Sequence, residues 1–316
     1  MSGMLPMLQA SIIIPTYKRA AYLSKCLDAV AVLNTDPKTF EIIIVDNNSP
    51  DATRDVSLRF AQKHPDLQVR YICETQQGCS PARNRGLTEA RGEIVCFLDD
   101  DSPPEPDWLN ALLDPFKDQN VGCTGGPSIL DYQGQEVPVW LQGTLAGMIS
   151  SYVLPYDEPT QVSLWAELPL SCNMAIRSSV LNDIGFFRTD LGKSGDNLLA
   201  AGETQLIERI HQSGWKVLYV PGARVNHFVS PDRLNISYLY RRGRGFAETY
   251  ILLTSESRPL KIIVWLVKDL KYTIEMFFWY MVAVIKRKRL WFDDYMRFWM
   301  AIQRIPLRFN ALWKSI

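Results

Sequence analysis

Short apolar runs and longer stretches of helical periodicity alternate through the first third of the chain. Ser11 to Ile14, Glu41 to Val45, Val69 to Cys73 and Glu93 to Leu98 read as strands. Their near-continuous Ile and Val content predicts strands covered on both faces, as crossover helices cover a parallel sheet. Ala20 to Leu33, Asp51 to His64, Pro81 to Arg91 and Asp107 to Lys117 carry the periodicity of the intervening helices. Strand and helix in alternation predict an α/β domain.

Residues 121–166 are rich in Gly and Pro, and the pattern supports loops with one edge strand around Gly122 to Ser128. Cys172 to Ile176 reads as a short strand, Glu203 to Gln212 as a helix, and Lys216 to Val220 as a strand ending at Pro221. From Tyr238 onward the chain is helical and aromatic, with basic clusters at Arg241-Arg242, Arg244 and Lys286-Arg287-Lys288-Arg289. The longest apolar stretch, Met276 to Ile285, falls short of the ~18 residues a spanning helix needs. The expected organisation is an α/β domain over 1–230, with halves at about 8–120 and 121–230, followed by a helical region over 231–316.

Composition narrows the partners. The 34 basic and 34 acidic residues balance, so no whole-molecule field favours nucleic acid. Six cysteines without a C-x-x-C pair suit a reducing compartment. Met1 to Gln9 has neither a positive start nor a long apolar run, so a cytoplasmic location is expected.

In a parallel α/β sheet the ligand lies beyond the carboxyl ends of the strands. Four such ends are polar here: Pro15-Thr16-Tyr17, Asp46-Asn47-Asn48, Glu74-Thr75-Gln76 and Asp99-Asp100-Asp101. Three consecutive aspartates repel one another, and a divalent cation would relieve them. Asp99 and Asp101 project to one side if strand geometry continues. The competing role is capping the helix near Asp107, for which one acid suffices. Asp46 is either the first residue of an Asx turn or an acceptor for a base imide.

Four segments, in order, carry a resemblance. Ser11-Ile12-Ile13-Ile14-Pro15-Thr16-Tyr17-Lys18-Arg19, Ile44-Val45-Asp46-Asn47-Asn48-Ser49, Ala82-Arg83-Asn84-Arg85-Gly86 and Phe97-Leu98-Asp99-Asp100-Asp101 look like glycosyltransferase family 2. Weaker similarity continues to about His227. The resemblance implies a GT-A fold: a Rossmann-like, mixed, mainly parallel sheet flanked by helices, here with a C-terminal helical appendage. It implies an inverting hexosyl transfer from a nucleotide-diphosphate sugar, commonly UDP-linked, with Mn²⁺ or Mg²⁺. The first half of 1–230 would then bind the nucleotide and the second the acceptor.

Carried over residue by residue, Pro15, Thr16, Tyr17 and Arg19 line the nucleotide pocket, Asp46 meets the base, and Arg83 meets the base or phosphates. Asp99 and Asp100 also face the nucleotide, and Asp101 binds the metal. Asn173, in a stretch similar to the family's Asn-Met-Ala, is the expected sugar contact, with Trp165 beside the sugar and acceptor; an ordinary buried strand is the alternative at Asn173. Ala201-Gly202-Glu203-Thr204-Gln205-Leu206 resembles a family stretch with an aspartate where Glu203 stands. Glu203 is the expected base, and capping its own helix is the alternative. Asp196 is the next candidate. His227 is either a third metal ligand or a structural histidine.

The basic and aromatic carboxy-terminal region suits the inner face of a membrane, or packing on protein. The acceptor implied is a glycan or a lipid-linked chain in surface polysaccharide synthesis. Two other classes compete. A nucleotidylyltransferase usually has a Gly-rich phosphate loop after its first strand, and Pro15-Thr16-Tyr17-Lys18-Arg19 has none. A non-catalytic sugar- or nucleotide-binding module has no need of Asp99, Asp101 and Glu203, all of which are present.

Overall fold

The computed structural model describes residues 8–141, 143–194, 198–254, 259–286 and 291–315. In chain order the first elements are β1 (Ala10–Thr16), α1 (Ala20–Val30), β2 (Phe40–Asp46), α2 (Thr53–Lys63), β3 (Gln68–Cys73), α3 (Cys79–Glu89), β4 (Ile94–Leu98) and α4 (Trp108–Leu113). There follow β5 (Val121–Gly125), β6 (Ser128–Asp131), α5 (Thr144–Met148), β7 (Thr160–Gln161), β8 (Asn173–Arg177), α6 (Ser178–Ile184), α7 (Gly202–Gln212), β9 (Lys216–Tyr219) and β10 (Val225–Phe228). Three long helices close the chain: α8 (Ile236–Leu253), α9 (Pro259–Ile285) and α10 (Trp291–Ser315).

Two compact units are present. One comprises Met1–Asp131, Ser150–Ser194 and Gly202–Phe228; the other comprises Tyr132–Ile149, Gly195–Ala201 and Val229–Ile316.

The first unit is built on an eight-stranded sheet of order β3-β2-β1-β4-β8-β5-β9-β7. Strands β3, β2, β1 and β4 run parallel, whereas β8 lies antiparallel between β4 and β5. Successive side chains of a strand point to opposite faces. In β1, Ile12 and Ile14 pack with Leu23 and Leu27 of α1, while Ile13 packs with Ala82 and Leu87 of α3. Both faces of the strand are thus apolar because both are covered.

Three expectations from the sequence are revised by the structure. The strand expected at an edge, β5, is interior, paired with β8 and β9. Its GCTG core is poor in β-branched residues, which hides a central strand. The helix expected to reach Lys117 stops at Leu113, and Asp114–Lys117 is a 3-10 turn around Pro115, which has no N–H to donate. The aspartates after β4 do not extend the strand: Ser102 N–H donates to the Asp99 carbonyl at 3.0 Å, closing a turn.

A two-stranded parallel sheet, β6 with β10, holds that turn in place. The Phe228 N–H donates to the Asp101 carbonyl at 2.7 Å, the Asn226 N–H to Pro103 at 2.9 Å, and the Glu105 N–H to Arg224 at 3.0 Å.

The second unit is helical. Asn235 caps α8, accepting from the Ser237 N–H at 2.8 Å. Helices α9 and α10 pack through aromatic contacts such as Tyr280 on Phe298, with ring centroids 6.0 Å apart. Between them Arg308 donates through Nε to Asp269 at 3.0 Å and through Nη2 to the Thr254 hydroxyl at 2.7 Å. Of the basic cluster at 286–289, residues 287–289 lie outside the described residues.

Candidate active site

The carboxyl ends of the parallel strands form one rim. Thr16 closes β1 and is in register with Asp46 at the end of β2, and the Asn47 N–H donates to the Thr16 carbonyl at 2.9 Å. The Thr16 hydroxyl donates at 2.7 Å to Asp100, in the turn that follows β4.

That acidic turn is tied to Arg19. The guanidinium Nη1 of Arg19 lies 3.1 Å from Asp100 and 2.5 Å from Asp101, so one cation bridges two buried carboxylates. Burial pushes the Asp100 carboxyl above the ordinary carboxylate range; Arg19 opposes that rise and the neighbouring Asp101 adds to it. Burial alone would lower Arg19, but Asp101 and Asp100 hold it above its usual value. Strand β10 delivers His227 to the same place, its Nε2 standing 3.6 Å from Asp101 Oδ1.

Asp99 turns another way. It accepts from Arg83 Nη2 at 2.8 Å. Arg83 sits on α3, which approaches β1 closely: a Cβ on Gly86 would stand 2.4 Å from Ile13 Cγ2. Burial would lower the Arg83 guanidinium, but Asp99, Cys79 and Glu203 together hold it above its usual value. Glu203, half-buried in the first turn of α7, thus acts on the same guanidinium as Asp99. Ala201, just before this turn, adopts the left-handed φ of 59° that non-glycine residues rarely take.

Asp46 takes the turn role. Its Oδ1 accepts from the Ser49 N–H at 2.9 Å and its Oδ2 from the Tyr71 hydroxyl at 2.7 Å, so both oxygens are engaged within the protein. Burial and then Asp46 itself push the Tyr71 hydroxyl well above its ordinary pKa, which keeps it a donor. Neighbouring Asn47 is a hub: its amide donates to the Glu74 and Gln76 carbonyls and accepts from the Gly78 N–H, fixing the loop that leads into α3. Pro15 is half-buried and Tyr17 is exposed at the rim.

Asn173, the expected sugar contact, faces inward in β8. It is fully buried; its carbonyl accepts from Trp108 Nε1 at 2.7 Å and its amide donates to Pro127 and Ala223. Facing Leu98 in the β4–β8 register, it braces the base of the acidic turn. Trp165 stands in a 3-10 turn with 56 % of its surface exposed, and no described contact brings it to the acidic turn. Asp196 lies outside the described residues.

Tyr71, Asn47 and Trp108 were not singled out from the sequence. Each acts through a partner in another strand or loop, and strand register carries no mark in composition. Asn47 alone had a local signal, as an amide at a strand end.

Among the described residues, no group of three or more His, Cys, Asp or Glu side chains could hold a metal ion. The pair Asp101 and His227 offers an oxygen and an imidazole nitrogen, and Mg²⁺ or Mn²⁺ usually completes its shell with water and substrate phosphate. Among the described residues, the buried Arg83 Nε and Ser102 Oγ have no hydrogen-bond partner. The donor set therefore fits a metal–diphosphate group, with carboxylate and imidazole for the cation and N–H and hydroxyl for the anion.

Comparison with known proteins gives this arrangement relatives. The sequence model described as Glycosyl transferase family 2 matches residues 11–185. Glycosyltransferase AglE of Haloferax volcanii is 26 % identical over 258 residues, covering 81 % of this chain and 79 % of that one. Among solved structures, the mannosyltransferase PcManGT from Pyrobaculum calidifontis, in complex with GDP-Man and Mn²⁺, superposes with TM-score 0.61 at 18 % identity over 94 % of this chain and 87 % of that one. S. aureus TarS 1-349, in complex with UDP-GlcNAc, superposes with TM-score 0.54 at 19 % identity over 77 % of this chain and 67 % of that one. Against the longer TarS chain the match covers 40 % of its length. The architecture is that of the GT-A glycosyltransferases.

Proposed function

The chain belongs to glycosyl transferase family 2, and from that premise we propose an inverting transfer of a hexosyl group from a nucleotide-diphosphate sugar, UDP-linked, to a glycan or lipid-linked acceptor in surface polysaccharide synthesis. One observation carries the reading. At the ends of the parallel strands, hydrogen bonds and ion pairs join Thr16, Arg19, Asp100 and Asp101, with His227 beside Asp101, while Asp99 of the same turn pairs separately with Arg83.

Asp101 and His227 would hold the divalent cation, whose positive charge supplies stabilisation of the departing diphosphate. Arg83 has a buried N–H that would suit a phosphate oxygen, and the Arg19 guanidinium, now on Asp100 and Asp101, would add positive charge beside the same anion. Thr16, Tyr17 and Pro15 edge the nucleotide. Asp46 reaches the base only if the Tyr71 or Ser49 hydrogen bond is exchanged, so its share in binding is through the rim's shape. Glu203 would take the acceptor hydroxyl's proton as the new glycosidic bond forms.

The test is a donor-hydrolysis and transfer screen across UDP- and GDP-sugars, with Mn²⁺ and with a chelator. Turnover of one UDP-sugar that the chelator abolishes supports the reading. A GDP-sugar preference would move the chain to the base carried by the PcManGT complex. Absence of turnover with every donor, despite nucleotide binding, favours the non-catalytic module.

A further inference from the structure

The outer face of α9 is apolar from Ile263 to Ile285. Ile263, Val267, Leu270, Ile274, Phe277, Met281 and Val284 follow one another by alternate steps of four and three residues, which places them on one stripe. All are exposed, Ile274 by 70 % and Val267 by 60 %, and Val264, Phe278 and Ile285 widen the stripe. The opposite side of α9 is spent on α10, where Ala283 and Asp269 are buried. An apolar band of this extent marks an interaction surface, since isolated soluble faces rarely expose so much.

Charge decides what covers it. Exposed Lys268, Lys271 and Lys286 fall on one flank of the stripe with a single acid, Glu275, among them. Trp279, 47 % exposed, stands on that flank too. An antiparallel two-fold pairing of two copies through the stripe would bring like flank to like flank, so that both copies place three lysines and one acid along the same edge. A lipid surface has the opposite charge where the lysines are and an acyl layer where the stripe is. No described helix is long and apolar enough to cross a membrane.

We propose that α9 binds in the plane of an anionic lipid surface, with Ile263 to Ile285 sunk into the acyl boundary, Lys268, Lys271 and Lys286 on the headgroups, and Trp279 at the water–lipid boundary. The inference stands on the helical unit alone. Donor turnover and lipid binding are separate measurements, and either can fail without the other.

The full chain is sedimented with vesicles of phosphatidylcholine alone and of phosphatidylcholine mixed with an equal amount of phosphatidylglycerol. The wild type pellets with the mixed vesicles and much less with the neutral ones. Ile274→Glu with Phe278→Glu abolishes pelleting, and circular dichroism verifies that the helices persist. Lys271→Gln and Lys286→Gln, and Lys268→Gln, which also gives up the ammonium's contact 4.3 Å from the Trp265 ring centroid, weaken binding to mixed vesicles by roughly fivefold each and flatten its salt dependence, with circular dichroism verifying the fold of each. Light scattering without lipid reads the alternative. A dimer that becomes monomeric in the Glu variant and never pellets assigns the stripe to a second copy and overturns the proposal. Equal pelleting by wild type and the lysine variants on both vesicle types overturns it as well.

Discussion

Nη1 of Arg19 stands 2.5 Å from Oδ2 of Asp101, and the two residues, 82 positions apart in the chain, are brought together because β1 and β4 are neighbours in the sheet. The carboxylates of Asp101 and Asp100 are almost wholly buried, with Arg19 one-third exposed. A buried carboxylate is tolerated only with a counter-charge. Arg19 supplies that charge here, at the position where the donor's cation would act.

Replacing Arg19 by Gln should therefore destabilise the fold by roughly 2–4 kcal/mol, the range for stranding a buried charge reduced for the guanidinium's exposure. Added Mn²⁺ should return part of that loss, so the melting temperature of Arg19→Gln should rise more with Mn²⁺ than that of the wild type. Equal shifts in the two proteins would mean that the cation binds away from Asp100 and Asp101.

Gly86 lets α3 lie against β1 closely enough for Arg83 to reach Asp99. An alanine there places its Cβ 2.4 Å from Ile13 Cγ2, inside van der Waals contact with a fully buried β-branched residue. Overpacking of this kind costs about 1–3 kcal/mol. Gly86→Ala should lower stability in urea and weaken nucleotide affinity together, because relief comes from moving the helix that carries Arg83. Pairing it with Ile13→Val removes only Cδ1, 3.0 Å from the added Cβ, and leaves Cγ2 at the closest approach, so it should recover little of either.

The ion pair of Arg308 and Asp269 is the helical unit's buried polar core, both side chains being almost completely shielded. Arg308→Met strands Asp269 and also removes two contacts to Thr254, and should cost about 3–5 kcal/mol. Adding Asp269→Leu to the same chain should return most of it, since a matched apolar pair carries no desolvation penalty. Urea unfolding of the single and double variants measures the coupling. Full additivity would show that the pair contributes no more than its packing.

The strands β1 to β4 were legible because burial on both faces forces an unmixed apolar composition, and the polar residues that end them mark the rim. Strand β5 was not legible as central, because Gly122 and Gly125 sit where Trp215 and Pro169 crowd the backbone, and small residues resemble loop composition. The acidic triplet announced its charge but not its geometry: the turn at Asp99 sends that side chain to Arg83, and sends Asp100 and Asp101 to Arg19. The partner of Asn173 was not legible for the same reason, since an amide braced by Trp108 from another layer reads in sequence like one with no such brace. Long-range partners decide such side chains, and spacing along the chain is silent about them.

Glu203 is the residue at which the proposed chemistry is most exposed to test. Its carboxylate acts on the Arg83 guanidinium, so its removal has two separable consequences. If Glu203 serves only to balance Arg83, Glu203→Gln changes how Arg83 meets the donor diphosphate, and the donor KM moves while kcat holds. If Glu203 takes the acceptor proton, donor and acceptor still bind, and kcat falls by roughly 10²–10⁴-fold with little change in KM. The second outcome is expected, because Asp99 already pairs with Arg83 at 2.8 Å and leaves Glu203 a dispensable neighbour there. Glu203→Asp should retain part of the rate, the first turn of α7 being held by the constrained backbone at Ala201 and so able to follow only a short way. Steady-state kinetics of the two variants with the donor identified by the screen distinguishes these cases. Full activity in Glu203→Gln would remove the residue from the reaction and turn the search for the base to Asp196.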